Sequence, residues 1–333
     1  MTDGKNFTLL TRVTACLWGG AVGDAMGKAT EGYTPDAALK AYGRPVERFV
    51  KPIQTLSEFT WEKAEVTEDT RQTVALAKAV LAKGKVDQLA IAGRLLECGP
   101  KGIGVSSRLF HFILTGDLGH VSLKGSGTGA ATRIAPVGIV NTTENMTKLV
   151  SDVVKATAMT HGGKTAVAGA AAMAAAVAAA IEGKPAGQIL LVALQAAKYA
   201  EQYGYPDGLE SVARKLEKGI KFAYYLRGEA LFTQIKEDLG WGFAANEAVP
   251  AALLVACSLL NAKQAIITAV NQGGDADAVA GMAGALAAAI NPPSLPRNWV
   301  EEVCTVNNLE LAEIARGLVR LRPNAAIEQA DAR

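Results

Sequence analysis

Asp275 and Asp277 stand on either side of one alanine in the stretch from Asn271 to Ile290, NQGGDADAVAGMAGALAAAI. Two glycines precede them and a run of small apolar residues follows. That order predicts a helix N-terminus: a turn, acidic side chains in the first turn, then a helix slim enough to be packed on all sides. Residues i and i+2 do not share a face in mid-helix. At a helix start one of them can keep non-helical geometry, and both carboxylates can then turn toward one point. Two anionic oxygens converging there suit a hard divalent cation such as Mg or Mn. The same residues would also serve as a cap and as dipole partners, and this stretch alone leaves both readings open.

Thr67, Glu68 and Asp69 form a second helix start loaded with oxygen atoms, because helical spacing follows at Val74, Leu76, Ala77, Val80 and Leu81. Here too a cap with acidic dipole partners is the plainer alternative. Glu31 lies in a loop, Lys28-Ala29-Thr30-Glu31-Gly32, after a G-D-A-M-G run that contains Asp24. Lys124 to Arg133 reads KGSGTGAATR. Its glycines could cradle an anion on backbone N–H groups at a helix entrance. No lysine follows the last glycine and no β-branched strand leads in, so neither a Walker loop nor a Rossmann fingerprint is present. His161, one of three histidines, falls at a helix break, Thr160-His161-Gly162-Gly163. A histidine there is more often a cap or a surface residue than a catalyst.

The elements that must position these residues read as helices. Thr11 to Met26 is predicted helical despite Gly19, Gly20 and Gly23. Each interior glycine costs about 1 kcal/mol against alanine, so close helix–helix approach is the expected reason for them. Val46 to Glu65 is expected to be a long loop delivering the chain to Thr67. Further helices are expected over Val86 to Cys98, Gly104 to Leu114, Thr143 to Met159, Thr165 to Ile181 and Ala186 to Tyr203. Others follow over Gly208 to Leu226, Glu247 to Leu260, Asp275 to Ile290 and, roughly, Leu309 to Leu321. Pro250 is expected in the first turn of its helix, where proline is tolerated. No strand pattern, hairpin signal or tandem repeat stands out. The expectation is an all-α, compact multi-helix bundle of about a dozen helices, one domain over residues 1–333 with frayed termini and a core of about 10–322.

Composition bounds the rest. The 333 residues are half hydrophobic and one-fifth charged, with a formal net charge of +2. That is a globular balance, and no lysine–arginine block points to nucleic acid. Cys16, Cys98, Cys257 and Cys304 are far apart and form no C-x-x-C pair, so neither a zinc site nor a disulfide framework is signalled and a reduced cytoplasm is expected. The start lacks the apolar segment of a signal peptide. Thr165 to Ile181 is mostly alanine, which predicts a tightly buried helix rather than a membrane span.

Four of these segments, taken in order, resemble the ADP-ribosylglycohydrolase family, which includes the dinitrogenase-reductase-activating glycohydrolases. They are G-D-A-M-G-K-A-T-E, V-T-E-D-T, G-T-G-A-A-T-R-I-A-P and G-G-D-A-D-A, joined by T-H before the alanine-rich helix. The resemblance spans about residues 10–295 and implies a compact all-α orthogonal bundle. It implies one or two Mg or Mn ions held by Thr67, Glu68, Asp69, Asp275 and Asp277. It implies Glu31 or Asp69 as the catalytic base, and Gly127, Thr128, Gly129 and His161 on the substrate side. Three positions depart from the family pattern. Glu68 stands where Asp is usual, Ala278 where a Thr or Ser hydroxyl coordinates, and Thr128 where Asn is usual. A longer carboxylate and a missing hydroxyl both bear on the second ion.

The implied reaction is hydrolysis at ribose C1 of an ADP-ribosyl conjugate, through an oxocarbenium-like transition state. Two alternatives stand beside it. One is a nucleosidase-like hydrolase of small N-ribosides, and the other a degenerate protein that binds ADP-ribose without cleaving it. The expected partner is a ribosyl substrate, with no nucleic acid and no membrane; the sequence leaves the oligomeric state open.

Overall fold

The computed structural model describes residues 7–53, 59–99, 101 and 125–323. Among the described residues the regular elements are helices, and the only β contacts are two isolated bridges, Gly127 with Ala244 and Gly163 with Tyr205. In chain order the α-helices are α1 (Leu9–Gly27), α2 (Pro35–Tyr42), α3 (Glu68–Lys83), α4 (Gln88–Leu96), α5 (Gly129–Thr132), α6 (Ala135–Ile139), α7 (Met146–Thr157) and α8 (Lys164–Ile181). They continue as α9 (Ala186–Ala200), α10 (Val212–Tyr225), α11 (Gly228–Asp238), α12 (Ala245–Leu259), α13 (Ala262–Gln272), α14 (Ala276–Ile290), α15 (Arg297–Asn307) and α16 (Leu311–Leu321). The expected helix over Gly104 to Leu114 lies outside the described residues. Val46 to Glu65 carries no helix over its described part, as its composition predicts.

The core is built on helices that have almost no side-chain bulk. Every residue of α8 from Thr165 to Ile181 is buried. It is the one described helix long and apolar enough to cross a membrane, and it lies inside the bundle, as expected.

The packing of α1 on α14 sets the site. A Cβ added to Gly23 would lie 2.0 Å from the carbonyl oxygen of Ala280. At Gly19 and Gly27 it would meet the oxygens of Gly284 and Ala276 at 2.3 and 2.4 Å. These three glycines therefore exist so that two backbones can touch. Gly20 differs: its nearest neighbour would be the Ala285 Cβ at 3.6 Å, an ordinary contact. The close seam brings the C-terminal end of α1, with Asp24 and Lys28, against the N-terminal end of α14, with Asp275 and Asp277.

Five helices were not foreseen: α2, α6, α11, α13 and α15. Two of them carry a side-chain N-cap, Thr34 accepting from the Ala37 amide and Asn261 from the Gln264 amide. The helix expected from Glu247 begins at Ala245, which moves Pro250 past the first turn and into the helix interior.

Candidate metal centre

Glu31, Asp275 and Asp277 each offer a carboxylate oxygen, and these atoms lie within 4.8 Å of one another. Asp275 and Asp277 are 4% exposed, whereas the Glu31 side chain is 12% exposed and is the most open of the three. Backbone geometry explains the convergence. Gly273 and Gly274 adopt φ +67° and +62°, where an added Cβ would strike the carbonyl oxygens of Tyr33 and Trp241 at 2.0 and 2.1 Å. The Gly32 amide donates to Gly274 O at 2.7 Å and the Gly274 amide to Tyr33 O at 2.9 Å. The loop carrying Glu31 is thus tied to the turn that launches α14. Asp275 is the N-cap residue, with φ −84° and ψ 62°, and Asp277 is the second residue inside the helix. Of the two acids, Asp275 is the one outside helical geometry, as convergence on one point requires.

Thr67, Glu68 and Asp69 lie at the start of α3, where Asp69 is under the charges of Asp24, Asp277, Glu68 and Asp275. The Thr67 hydroxyl caps its own helix, accepting from the Asp69 amide at 3.2 Å. Asp69 Oδ1 accepts from the Thr132 hydroxyl at 2.7 Å. Glu68 acts on Asp24, Lys28, Glu31 and Asp69 as a lesser repulsive or attractive charge. The group of mutually close carboxylate oxygens comprises Glu31 rather than these residues.

The glycine-rich turn meets the site through Thr128. Its hydroxyl donates to Asp275 Oδ2 at 2.7 Å. The helix it enters, α5, is a single turn and carries little dipole for an anion. The His161 ring packs behind this turn, and a Cβ added to Gly129 would sit 3.2 Å from its Cε1. His161 Nδ1 pairs with the Thr160 hydroxyl at 2.8 Å, and Arg133 links the same hydroxyl to Gly129 O at 3.3 Å. Burial, and then the Arg133 charge, push the imidazole down to about 3. His161 is therefore neutral and donates no proton as an imidazolium near pH 7.

Two residues that the sequence reading passed over belong to the site. Asp24 takes the amides of Thr67 at 3.1 Å and Thr70 at 3.1 Å, along with the Thr70 hydroxyl, and so anchors α3 to α1. Lys28 is 3% exposed; its ammonium donates to Glu31 and reaches Asp277 Oδ2 at 3.5 Å. The G-D-A-M-G-K run was the available signal. The partners of both residues lie far along the chain, so the run alone does not reveal the roles.

The electrostatics are those of crowded acids. Burial, followed by the Asp277 charge, raises Asp24 to about 7. Burial and Asp277 likewise raise Glu31 to about 7 against the pull of Lys28. Asp69 is held well above the usual range by burial and then Asp24, and Asp275 by burial and then Asp277. Burial disfavours the Lys28 ammonium, but Asp277 and Glu31 outweigh it and raise its pKa. An all-oxygen donor set whose acids resist ionising together is one that a hard divalent ion would relieve.

Metal-free protein should lose stability as these acids are forced to ionise. Asp24 and Glu31 move from ordinary values of 3.8 and 4.5 to about 7 on folding. Between these limits the folded chain binds more protons than the unfolded chain, so this stability is fully present only below about pH 3.8 and is lost as pH rises through about 7. Urea midpoints of EDTA-treated protein should fall between pH 5 and pH 8. A flat or rising profile would remove these two groups as the cause.

A separate cavity of about 650 Å³ lies beside α3, α4 and α15, lined among others by Glu65, Arg71, Lys78 and Cys98. It contains none of the carboxylates of the cluster.

The chain has relatives of known sequence and structure. The family model described as ADP-ribosylglycohydrolase matches residues 6–327. Uncharacterized protein YegU of Escherichia coli (strain K12) is 28% identical over 329 residues, covering 93% of this chain and 97% of that one. The Homo sapiens protein named ADP-ribosylhydrolase ARH3 is 28% identical over 337 residues, covering 87% and 88%. A solved structure titled ADP-ribosylglycohydrolase-related protein complex superposes with a TM-score of 0.72 at 24% identity, covering 95% of this chain and 99% of that one, which establishes the likeness of fold. With its family model matched over nearly the whole length and its all-α fold shared, the chain belongs to the ADP-ribosylglycohydrolase family.

Proposed function

We propose that this chain is a metal-dependent glycohydrolase that cleaves the glycosidic bond at ribose C1 of an ADP-ribosyl conjugate. The observation that carries the reading is the convergence of Glu31, Asp275 and Asp277 at the α1–α14 seam in a member of a glycohydrolase family. Asp275 and Asp277 would hold a Mg or Mn ion, with Glu31 beside them. Such an ion supplies positive charge that orients ribose hydroxyls and acidifies a nearby water. Thr128 keeps one Asp275 oxygen in place. Glu31, raised to about 7 and the most accessible of the three, is suited to take the proton of the attacking water. Asp69, oriented by Thr132, is the second carboxylate able to do so.

One observation favours the nucleosidase-like alternative. The Thr128 hydroxyl is given to Asp275, so the Gly127-Thr128-Gly129 turn offers the ribose side no side-chain amide where the family pattern has Asn. Purified protein with Mg and Mn, assayed against ADP-ribosyl-arginine, ADP-ribosyl-serine and a nucleoside panel, separates the readings. Turnover of a conjugate supports the proposal, and turnover of nucleosides alone supports the alternative. Binding of ADP-ribose with no turnover would make the protein a non-catalytic binder.

A further inference from the structure

Lys28 caps the C-terminal end of α1, where its amide donates to Asp24 O at 3.1 Å. Its side chain is 3% exposed, and the Trp61 ring, itself 2% exposed, lies 4.9 Å from Nζ. The ammonium bonds Glu31 and reaches Asp277, two of the three carboxylates that come together. It therefore stands among the very oxygens that a divalent ion would bind. An ammonium holds an oxygen at about 2.8 Å and Mg holds one at about 2.0–2.1 Å, so the two cations compete for the same lone pairs.

Charge points the same way. The three carboxylates with one ammonium leave two negative charges, which a single divalent ion balances. Of the neighbouring acids, Asp24 is engaged by the α3 amides and Asp69 by the Thr132 hydroxyl, while Glu68 adds its charge to the hold on Lys28. Ala278 adds no hydroxyl ligand. Moving Lys28 aside would require displacing Trp61 and placing a buried ammonium without its partners.

We infer that the Lys28 ammonium is a resident cation standing in for a second divalent ion, so that this chain binds one ion where Asp275 and Asp277 meet, with Glu31 held by Lys28. The inference rests on the reading that the site takes a divalent ion. Lys28 acts through Glu31 and is a positioning residue.

The test is the number of Mn ions bound per chain at saturation, from equilibrium dialysis with free Mn counted by electron paramagnetic resonance. Wild type is expected to bind one. Lys28→Met, similar in length and uncharged, is expected to bind two, and Lys28→Arg, which keeps the charge, one. Lys28→Gln serves as a second neutral variant should Lys28→Met fail to fold by circular dichroism. Two ions in the wild type, two in Lys28→Arg, or one in a folded neutral variant would each overturn the inference. A wild type that binds none would sink the metal reading itself and this inference with it, a result distinct from the two-ion outcome, which sinks only the role of Lys28.

Discussion

Asp277→Ala is expected to lose at least ~10²-fold in kcat/KM while remaining folded, because removing a metal-holding carboxylate takes away several kcal/mol of charge stabilisation. Asp277 is 4% exposed at the start of α14. Its Oδ1 accepts from the neighbouring Ala278 amide at 3.0 Å, its Oδ2 faces Lys28 at 3.5 Å, and its carboxyl also pairs with that of Asp275. It therefore ties few elements together. What it does is raise its neighbours: its charge acts on Asp24, Glu31, Asp69 and Asp275. In metal-free protein the substitution relieves that repulsion, while Lys28 keeps Glu31. The melting temperature of the metal-free variant should hold or rise even as activity falls. Initial rates and a thermal melt on the same sample check both halves. Near-native turnover would rule out a metal-centred site, and a collapsed melt with lost activity would make Asp277 a structural residue.

Gly23→Ala should be among the most destabilising single-methyl changes available to this fold. The new methyl would lie 2.0 Å from Ala280 O and 2.8 Å from the Gly281 amide nitrogen. Both are backbone atoms, so no side chain can swing away, and α1 and α14 must separate. Overpacking of this kind costs about 1–3 kcal/mol and occasionally more. Separation would also pull Lys28 and Glu31 away from Asp275 and Asp277, so Mn affinity should fall with stability. Gly20→Ala is the control. Its methyl meets the Ala285 Cβ at 3.6 Å and Gly281 O at 3.8 Å, both ordinary contacts, and alanine is favoured by about 1 kcal/mol in a helix interior. Urea unfolding should show Gly23→Ala well below the wild type and Gly20→Ala at or above it. Equal stability of all three would mean that the α1–α14 seam is wider than the structure has it.

Parts of this molecule are legible in the sequence for clear physical reasons. Helices α1, α3, α8 and α14 announce themselves by period and by the residues at their starts. Gly19 and Gly23 announce a close approach because nothing else would repay interior glycine. Gly20 looks the same in sequence and does not have that reason, since only the partner helix distinguishes the three. Asp275 and Asp277 were visible as a pair because their convergence depends on local geometry at one helix start. Lys28 was not, because its meaning comes from Asp277, 249 residues away. Asp24 was hidden in the same way, with its partners 43 and 46 residues on. Thr128 was legible as part of a glycine turn but not as a donor to Asp275. The short helices α2 and α13 had readable caps at Thr34 and Asn261, whereas α11 has no side-chain cap and little to mark it in the sequence.

The carboxylates at the α1–α14 seam are expected to work by holding a divalent ion. The direct measurement is release of ADP-ribose from an ADP-ribosyl conjugate by EDTA-treated, metal-free protein, before and after Mn or Mg is added back. Activity is expected to vanish with the metal and return with it, in wild type but not in Asp277→Ala. Full activity in protein shown to be metal-free would contradict the account.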